Sequence, residues 1–324
     1  MAVKSMNKDL YKPLIPKADT TGYLLKMIPQ FVEELLQKYG KDVEFKIADI
    51  GAGTGTLAMG IIDEAKKQGI TSCIVYAVEP EAKDVEVGIK TSQTNGCYYD
   101  SSTSLSVVFK QEPYTATTFE PKFLQGIICN PGQFMAPKKI SDRLPSYGQT
   151  GDELGLGRLE VFVRNAAIHL LPDGLYCGQH LSPAKEADAI AALEIVRDAF
   201  GADTDVQYHD KILPRISSQE FMNGELASLL EDSQWTDYAQ HWIADFSVKY
   251  PWLASVAFIA SPTGGGGKIT NTRQSSYDPS LTMEYRIAIQ AATVREIKEE
   301  IDLGVRSYFK PNVRSFTTET LAIG

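Results

Sequence analysis

The 324-residue chain is poor in cysteine and histidine, with four of each, and it carries fewer basic than acidic residues, 32 against 41. Cys73, Cys97, Cys129 and Cys177 stand far apart, with no CxxC pair and no histidine at zinc-finger spacing, so neither a metal site nor a disulfide framework is expected. They read as buried free thiols of a reducing compartment. The net charge of −9 disfavours a protein that grips nucleic acid through its phosphates, which takes a clustered excess of Lys and Arg. No apolar run approaches the ~20 residues that span a bilayer. Met1 to Asp9, with Lys4 and Lys8, is not followed by an apolar stretch of signal-peptide length. No internal repeat is evident. A cytoplasmic, metal-free protein with no membrane partner is the expectation.

What is present is the composition of a folded chain, 43% hydrophobic and 23% charged, which excludes global disorder. After Asp19-Thr20-Thr21, a capping signal, Leu24, Leu25, Ile28, Phe31, Val32, Leu35 and Leu36 recur at helical spacing until Gly40. Seven short apolar runs read as strands: 45–50, 74–78, 107–109, 123–129, 175–180, 206–213 and 255–261. Helical patterns at 57–65, 81–94, 159–171 and 184–200 alternate with them. That alternation predicts an α/β fold with a doubly wound, mostly parallel sheet. The expected division is a helical lead-in over 1–40, a ligand-binding domain over 41–262 and a C-terminal extension over 263–324. A segment rich in Trp, Tyr and acids, about 214–252, reads as a helical insertion. Gly264 to Gly267 reads as a loop, with a strand near 283–289 and a helix near 293–301 beyond it.

The chemistry concentrates at Asp49-Ile50-Gly51-Ala52-Gly53-Thr54-Gly55, after a buried strand and before a helix. Glycines let the chain turn sharply and let backbone N–H groups approach a ligand. A dinucleotide fingerprint would need a third glycine where Thr56 stands, which disfavours a nicotinamide enzyme. An acid two residues before the first glycine suits a ligand with a cationic amino group and no pyrophosphate, and S-adenosylmethionine is such a ligand. Glu79, at the end of the second strand, is placed to bond both ribose hydroxyls. Glu112 (or Gln111), past the third strand, is the candidate for the adenine amine. At the end of the fourth strand stands Asn130-Pro131-Gly132-Gln133-Phe134. An Asn side-chain carbonyl and the following backbone carbonyl can together hold one planar NH2 group, so that attack needs positioning more than acid–base chemistry.

The order of these motifs resembles a class I S-adenosylmethionine-dependent methyltransferase, most similar to the release-factor glutamine methyltransferases and their Asn-Pro-Pro-Tyr relatives. Leu14-Ile15-Pro16-Lys17-Ala18-Asp19-Thr20 resembles that group's lead-in, and Ala48 to Gly55 its cofactor loop. Val78-Glu79 through Asn95-Gly96 resembles its second strand and helix. Gly151-Asp152-Glu153-Leu154-Gly155-Leu156 and the helix ending at Leu171-Pro172-Asp173-Gly174 resemble a further segment. The likeness spans roughly 12–182. It implies a Rossmann-like methyltransferase sheet and transfer of methyl to a planar nitrogen of a protein side chain or small molecule. It also implies a site in which Asp49, Gly51, Gly53, Gly55, Glu79 and Glu112 bind S-adenosylmethionine and Asn130 and Pro131 act on the acceptor. Gly132 and Gln133 replace the group's second proline and its aromatic, so Phe134 is the substitute expected to touch substrate. The same departure motivates the alternative of a catalytically silent binding protein with a methyltransferase-like fold.

Other residues read more plainly. His169, His180, His209 and His241 are scattered. Only His180, past the fifth strand, could serve as a base, and a structural role is the simpler reading. Trp235, Tyr238, Trp242, Tyr250 and Trp252 read as core or cleft lining. Glu296, Glu299, Glu300 and Asp302 read as a solvated helix face.

Overall fold

The computed structural model describes residues 19–99, 104–131, 135, 137, 152–185, 190–210, 216–217, 233–263 and 266–271. Gly132 to Phe134, and the strand and helix expected beyond 280, lie outside them. Strands β1 (Phe45–Ile50), β2 (Cys73–Val78), β3 (Leu105–Lys110), β4 (Leu124–Cys129) and β5 (Leu170–Ala184) are joined by β6 (Asp205–Asp210), β7 (Ile216–Ser217), β8 (Trp252–Ser261) and β9 (Ile269–Asn271). The sheet order is β3-β2-β1-β4-β5-β8-β6-β9, with β7 paired to β8. β1 to β5 are mutually parallel, and β8 runs antiparallel to both β5 and β6. This is the doubly wound α/β fold expected. Its seven predicted strands are all present, and the short β7 and β9 add to them.

Helices α1 (Asp19–Tyr39), α2 (Thr56–Lys67), α3 (Ala82–Thr94), α4 (Gly157–His169), α5 (Ala191–Phe200) and α6 (Ser233–Lys249) complete the described elements. β1 is buried along almost its whole length, because both sheet faces are covered. Ile47 joins the core under α1 and α2, while Ala48 and Ile50 join the core under α4 and α5. Leu24, Met27, Ile28, Phe31, Val32 and Leu35 of α1 all lie in the first core. Burying each is favourable by roughly 1.5–3 kcal/mol, so α1 is part of the fold's support.

Two boundaries differ from expectation. The turn at Pro172-Asp173-Gly174 does not precede β5 but interrupts it. Leu170 already pairs with Leu124, and residues 171–174 bulge opposite Gln125 before Leu175 resumes with Gly126. The helix expected from 184 begins at Ala191 instead, because β5 runs on to pair Ala184 with Trp252 of β8.

Phe109, near the end of β3, is wedged between the loop after β1 and α3. A Cβ added at Gly88 would lie 2.4 Å from Phe109 Cε1 and 3.0 Å from the Thr54 carbonyl oxygen. Gly88→Ala is therefore expected to lose about 1–2 kcal/mol in urea denaturation: overpacking costs about 1–3 kcal/mol and helix propensity returns up to 1. Phe109→Leu in the same chain should recover most of that loss. Purely additive effects in this double-mutant cycle would show that the wedge is not tight.

Candidate functional site

The strand order turns back between β1 and β4: from β1 the chain builds outward to β2 and β3, then returns to β4 on the other side. In open α/β sheets, ligands bind in the crevice beyond the carboxyl ends of the strands at that point. Ile50 and Cys129 pair there as the last residues of β1 and β4. The glycine loop follows Ile50, while half-buried Asn130 and buried Pro131 follow Cys129.

The loop is tied to β2 at once, since Gly51 and Ala52 donate their N–H groups to the Val78 carbonyl at 3.0 and 3.1 Å. Gly51, Gly53 and Gly55 have φ of 68°, 52° and 77°, a left-handed backbone that costs a residue with a Cβ about 1–2 kcal/mol. Their surroundings differ. A Cβ on Gly51 or Gly53 would meet nothing within 4 Å, whereas on Gly55 it would meet Phe109 Cζ at 2.7 Å. The first two glycines thus border open space and the third is packed.

Glu79 is 8% exposed and bridges the two strand ends. Its Oε2 accepts the Gly53 N–H at 2.9 Å and its Oε1 the Glu81 N–H at 3.0 Å. Burial raises its pKa, and the two N–H donors oppose that shift. Asp49 lies beneath the loop, fully buried. Its Oδ2 accepts the Ala58 N–H of α2 at 2.9 Å, while Oδ1 is buried without a hydrogen-bond partner. Burial pushes its pKa up to about 7, against the Ala58 bond and helped by the nearby Glu79 charge. Glu112 sits past β3 with its Oε1 on Lys110 Nζ at 2.7 Å. Glu79 is therefore bonded to the glycine loop, Asp49 to the helix behind it, and Glu112 is held in a surface ion pair with Lys110.

On the other flank, His180 does not follow β5 but lies inside it, fully buried. Its Nε2 is 3.0 Å from the Gly155 carbonyl and its Nδ1 has no partner. Burial lowers its pKa to about 4, so the ring is neutral near pH 7, with the proton on Nε2. It anchors the segment before α4. Trp242 of α6 donates its Nε1–H to Glu153 at 3.3 Å, and the Trp242, Phe246 and Tyr250 rings pack at tilted angles along α6, with centroids 4.9 and 5.3 Å apart. His169 is a satisfied core histidine between Tyr114 Oη and the Ala116 carbonyl, at 2.9 and 3.0 Å.

The sequence reading missed Phe109, Gly88 and Arg158. Only Arg158 left a signal: it is a cation in the first turn of α4, where the helix dipole disfavours one. Among the described residues, no three His, Cys, Asp or Glu side chains are grouped to hold a metal ion, and no helix is long and apolar enough to cross a membrane.

No family profile matches the chain, and no curated protein matches it in sequence. Solved structures of similar fold are found. A Listeria monocytogenes protein provisionally assigned to the class I S-adenosylmethionine-dependent methyltransferases is 12% identical, with 89% of this chain and 77% of that one covered and a TM-score of 0.48. An S-adenosylmethionine-dependent methyltransferase of Agrobacterium tumefaciens is 11% identical, with 78% and 63% covered and a TM-score of 0.43. A geranyl diphosphate C-methyltransferase of Streptomyces coelicolor A3(2), solved with S-adenosyl-L-homocysteine, is 11% identical, with 71% and 74% covered and a TM-score of 0.37.

Proposed function

We propose that the protein is an S-adenosylmethionine-dependent methyltransferase whose cofactor occupies the crevice beyond β1, β2 and β4. One observation carries this reading: the Glu79 carboxylate accepts the Gly53 N–H at 2.9 Å, so the acid of the second strand and the glycine loop of the first form one wall. A carboxylate offers about four acceptor positions, and the two backbone bonds leave capacity for a pair of ribose hydroxyls. Open space beside Gly51 and Gly53 makes a cradle that a Cβ would begin to fill. The partnerless Asp49 Oδ1 suits a ligand bearing positive charge. A pyrophosphate would instead face two acids, which disfavours a dinucleotide.

When bound, S-adenosylmethionine supplies a methyl group on a sulfonium open to in-line attack. The chain's own residues hold and orient. Asp49 and Glu79 meet the amino-acid end and the ribose, and Glu112 the adenine amine. Asn130 and Pro131 offer two carbonyls to the planar nitrogen of a protein side chain or small molecule, and Phe134 covers it. Holding both N–H groups turns the nitrogen lone pair outward, so that positioning does most of the catalysis.

Titration calorimetry with S-adenosylmethionine tests the reading. Wild-type protein should bind, and Asp49→Ala combined with Glu79→Ala should weaken binding at least ~100-fold, as expected for losing charged acceptors at two points. No binding by wild type, or unchanged binding by the variant, rejects it.

A further inference from the structure

The reaction proposed above leaves one proton without a destination. A planar nitrogen that gives its lone pair to a methyl carbon carries one N–H bond too many, and such a cation is a strong acid. The carbonyls of Asn130 and Pro131 orient N–H groups, but an amide oxygen is too weak a base to keep the proton. A more basic lone pair is needed beside them.

His180 is so placed. Gly178 of β5 pairs with Cys129, the last residue of β4, and neighbouring strands lie about 4.8 Å apart. Two residues further along each chain come His180 and Pro131, so His180 stands beside the Asn130-Pro131 pair at the carboxyl edge. Alternate residues of a strand share a face, which puts His180 on the side of Tyr176, in the core that also holds Cys129 and Leu156. Both His180 and Pro131 are buried. The Gly155 carbonyl, 3.0 Å from Nε2, can only accept a hydrogen bond, so the ring proton is on Nε2 and Nδ1 carries a lone pair. That nitrogen is buried without a partner, which is unfavourable, and a ligand's N–H would remove the cost. The other buried histidine among the described residues, His169, has both ring nitrogens engaged. Burial holds the His180 pKa down at about 4. The ring is thus unprotonated near neutral pH, yet more basic than the cation it would relieve.

We propose that His180 is the proton acceptor of the methyl transfer, its Nδ1 taking the N–H proton that the acceptor nitrogen sheds beside Pro131. The proposal rests on the reading of this crevice as a site of methyl transfer to a planar nitrogen. The nitrogen lone pair forms the N–C bond, and the S–C bond breaks with its electron pair left on sulfur. The N–H bond breaks with its pair returned to nitrogen, and the proton passes to Nδ1. The imidazolium returns it to solvent when the product leaves. The acceptor must therefore present at least one N–H, which sets it apart from a tertiary amine.

His180→Gln separates this role from bracing, because its amide N–H2 reaches the Gly155 carbonyl as Nε2 does but carries no basic lone pair. The probe is S-adenosylmethionine with a tritiated methyl group, incubated with cell extract as the pool of acceptors. At saturating cofactor, transfer by the variant should fall about 100-fold or more, as for loss of an acid–base group. Its urea midpoint should match wild type. So should its calorimetric affinities for S-adenosylhomocysteine and for 5′-methylthioadenosine, which shares the nucleoside and the thioether but lacks the amino-acid end. Undiminished transfer overturns the proposal and leaves His180 a brace. Should the midpoint or either affinity fall as well, the imidazole nitrogen NMR spectrum of wild type with S-adenosylhomocysteine decides instead. A bare Nδ1 beside a protonated Nε2 near neutral pH upholds the proposal, and a protonated Nδ1 overturns it. Wild-type protein that transfers no methyl refutes the underlying site reading, a result seen without any variant.

Discussion

Raising the pH from about 4 to about 7 should weaken the wild-type fold, and Asp49→Asn should remove most of that dependence. The buried Asp49 carboxyl titrates near 7 in the folded chain and near 3.9 when unfolded. Between those values the folded state holds a proton that the unfolded state has released, so stability falls as pH rises and levels off above about 7. The gap between those two values corresponds to about 4 kcal/mol. Burial is its main cause, and Asp49 is fully buried. Asn keeps the acceptor for Ala58 but places an amide N–H2 where Oδ1 has no partner, a cost of about 1–3 kcal/mol at every pH. The two stability curves should therefore cross. Asp49→Asn is the weaker protein at pH 4 and an equal or stronger one at pH 8, read from urea midpoints. Parallel curves would show that Asp49 does not carry this proton. A cationic ligand favours the ionised form, so S-adenosylmethionine should stabilise wild type more at pH 8 than at pH 5, and the variant equally at both.

That a destabilising carboxyl sits in the middle of the sheet bears on what could be read from sequence. The spacing of Asp49 before three glycines located an acid one residue before the end of the first strand, and the structure has it there. Spacing says nothing about which side of the loop the side chain takes. The α2 face is chosen because Asp49 shares its strand face with Phe45 and Ile47, under α1 and α2, where the Ala58 N–H of the first helical turn is available to bond it. The oxygen of Asp49 that has no partner is therefore a buried one. Glu79 was legible for a simpler reason: a residue just past a buried parallel strand can only stand at its carboxyl edge.

Strands and helices were legible where burial on both faces left apolar runs, as in β1, β2 and β4. The β5 boundaries were not. Pro172-Asp173-Gly174 has the composition of a turn, and a turn signal cannot reveal that a neighbouring strand will pair on both sides of it as a bulge. Long-range contacts left still less trace. Phe109 against Gly88 joins a strand end to a helix, and His180 against Gly155 joins a strand to a loop. Nothing in the local residue pattern distinguishes these from ordinary core positions.

Glu79→Ala is expected to have a different signature from Asp49→Asn. Glu79 holds the loop, and in the proposed site it would meet the ribose, so its removal should act on the nucleoside half of any ligand. Losing two bonds to a charged acceptor, at roughly 1.5–3 kcal/mol each, predicts a loss of 100-fold or more for S-adenosylmethionine, S-adenosylhomocysteine and 5′-methylthioadenosine alike. Asp49→Asn should spare the last of these. Stability should fall by about 1–3 kcal/mol as well, because the Gly53 and Glu81 N–H groups, now bonded at 2.9 and 3.0 Å, lose their acceptor. Glu79→Gln sharpens the comparison. The amide keeps the side-chain shape and one acceptor oxygen but turns an N–H2 toward one of the two backbone donors. Two donors then face each other, and ribose affinity should be lost without any change of side-chain volume. Both variants are read by calorimetry with 5′-methylthioadenosine beside a urea melt. A stability loss with nucleoside affinity intact would make Glu79 a brace for the loop only. Affinity lost in both variants makes the same carboxylate the brace and the ribose acceptor.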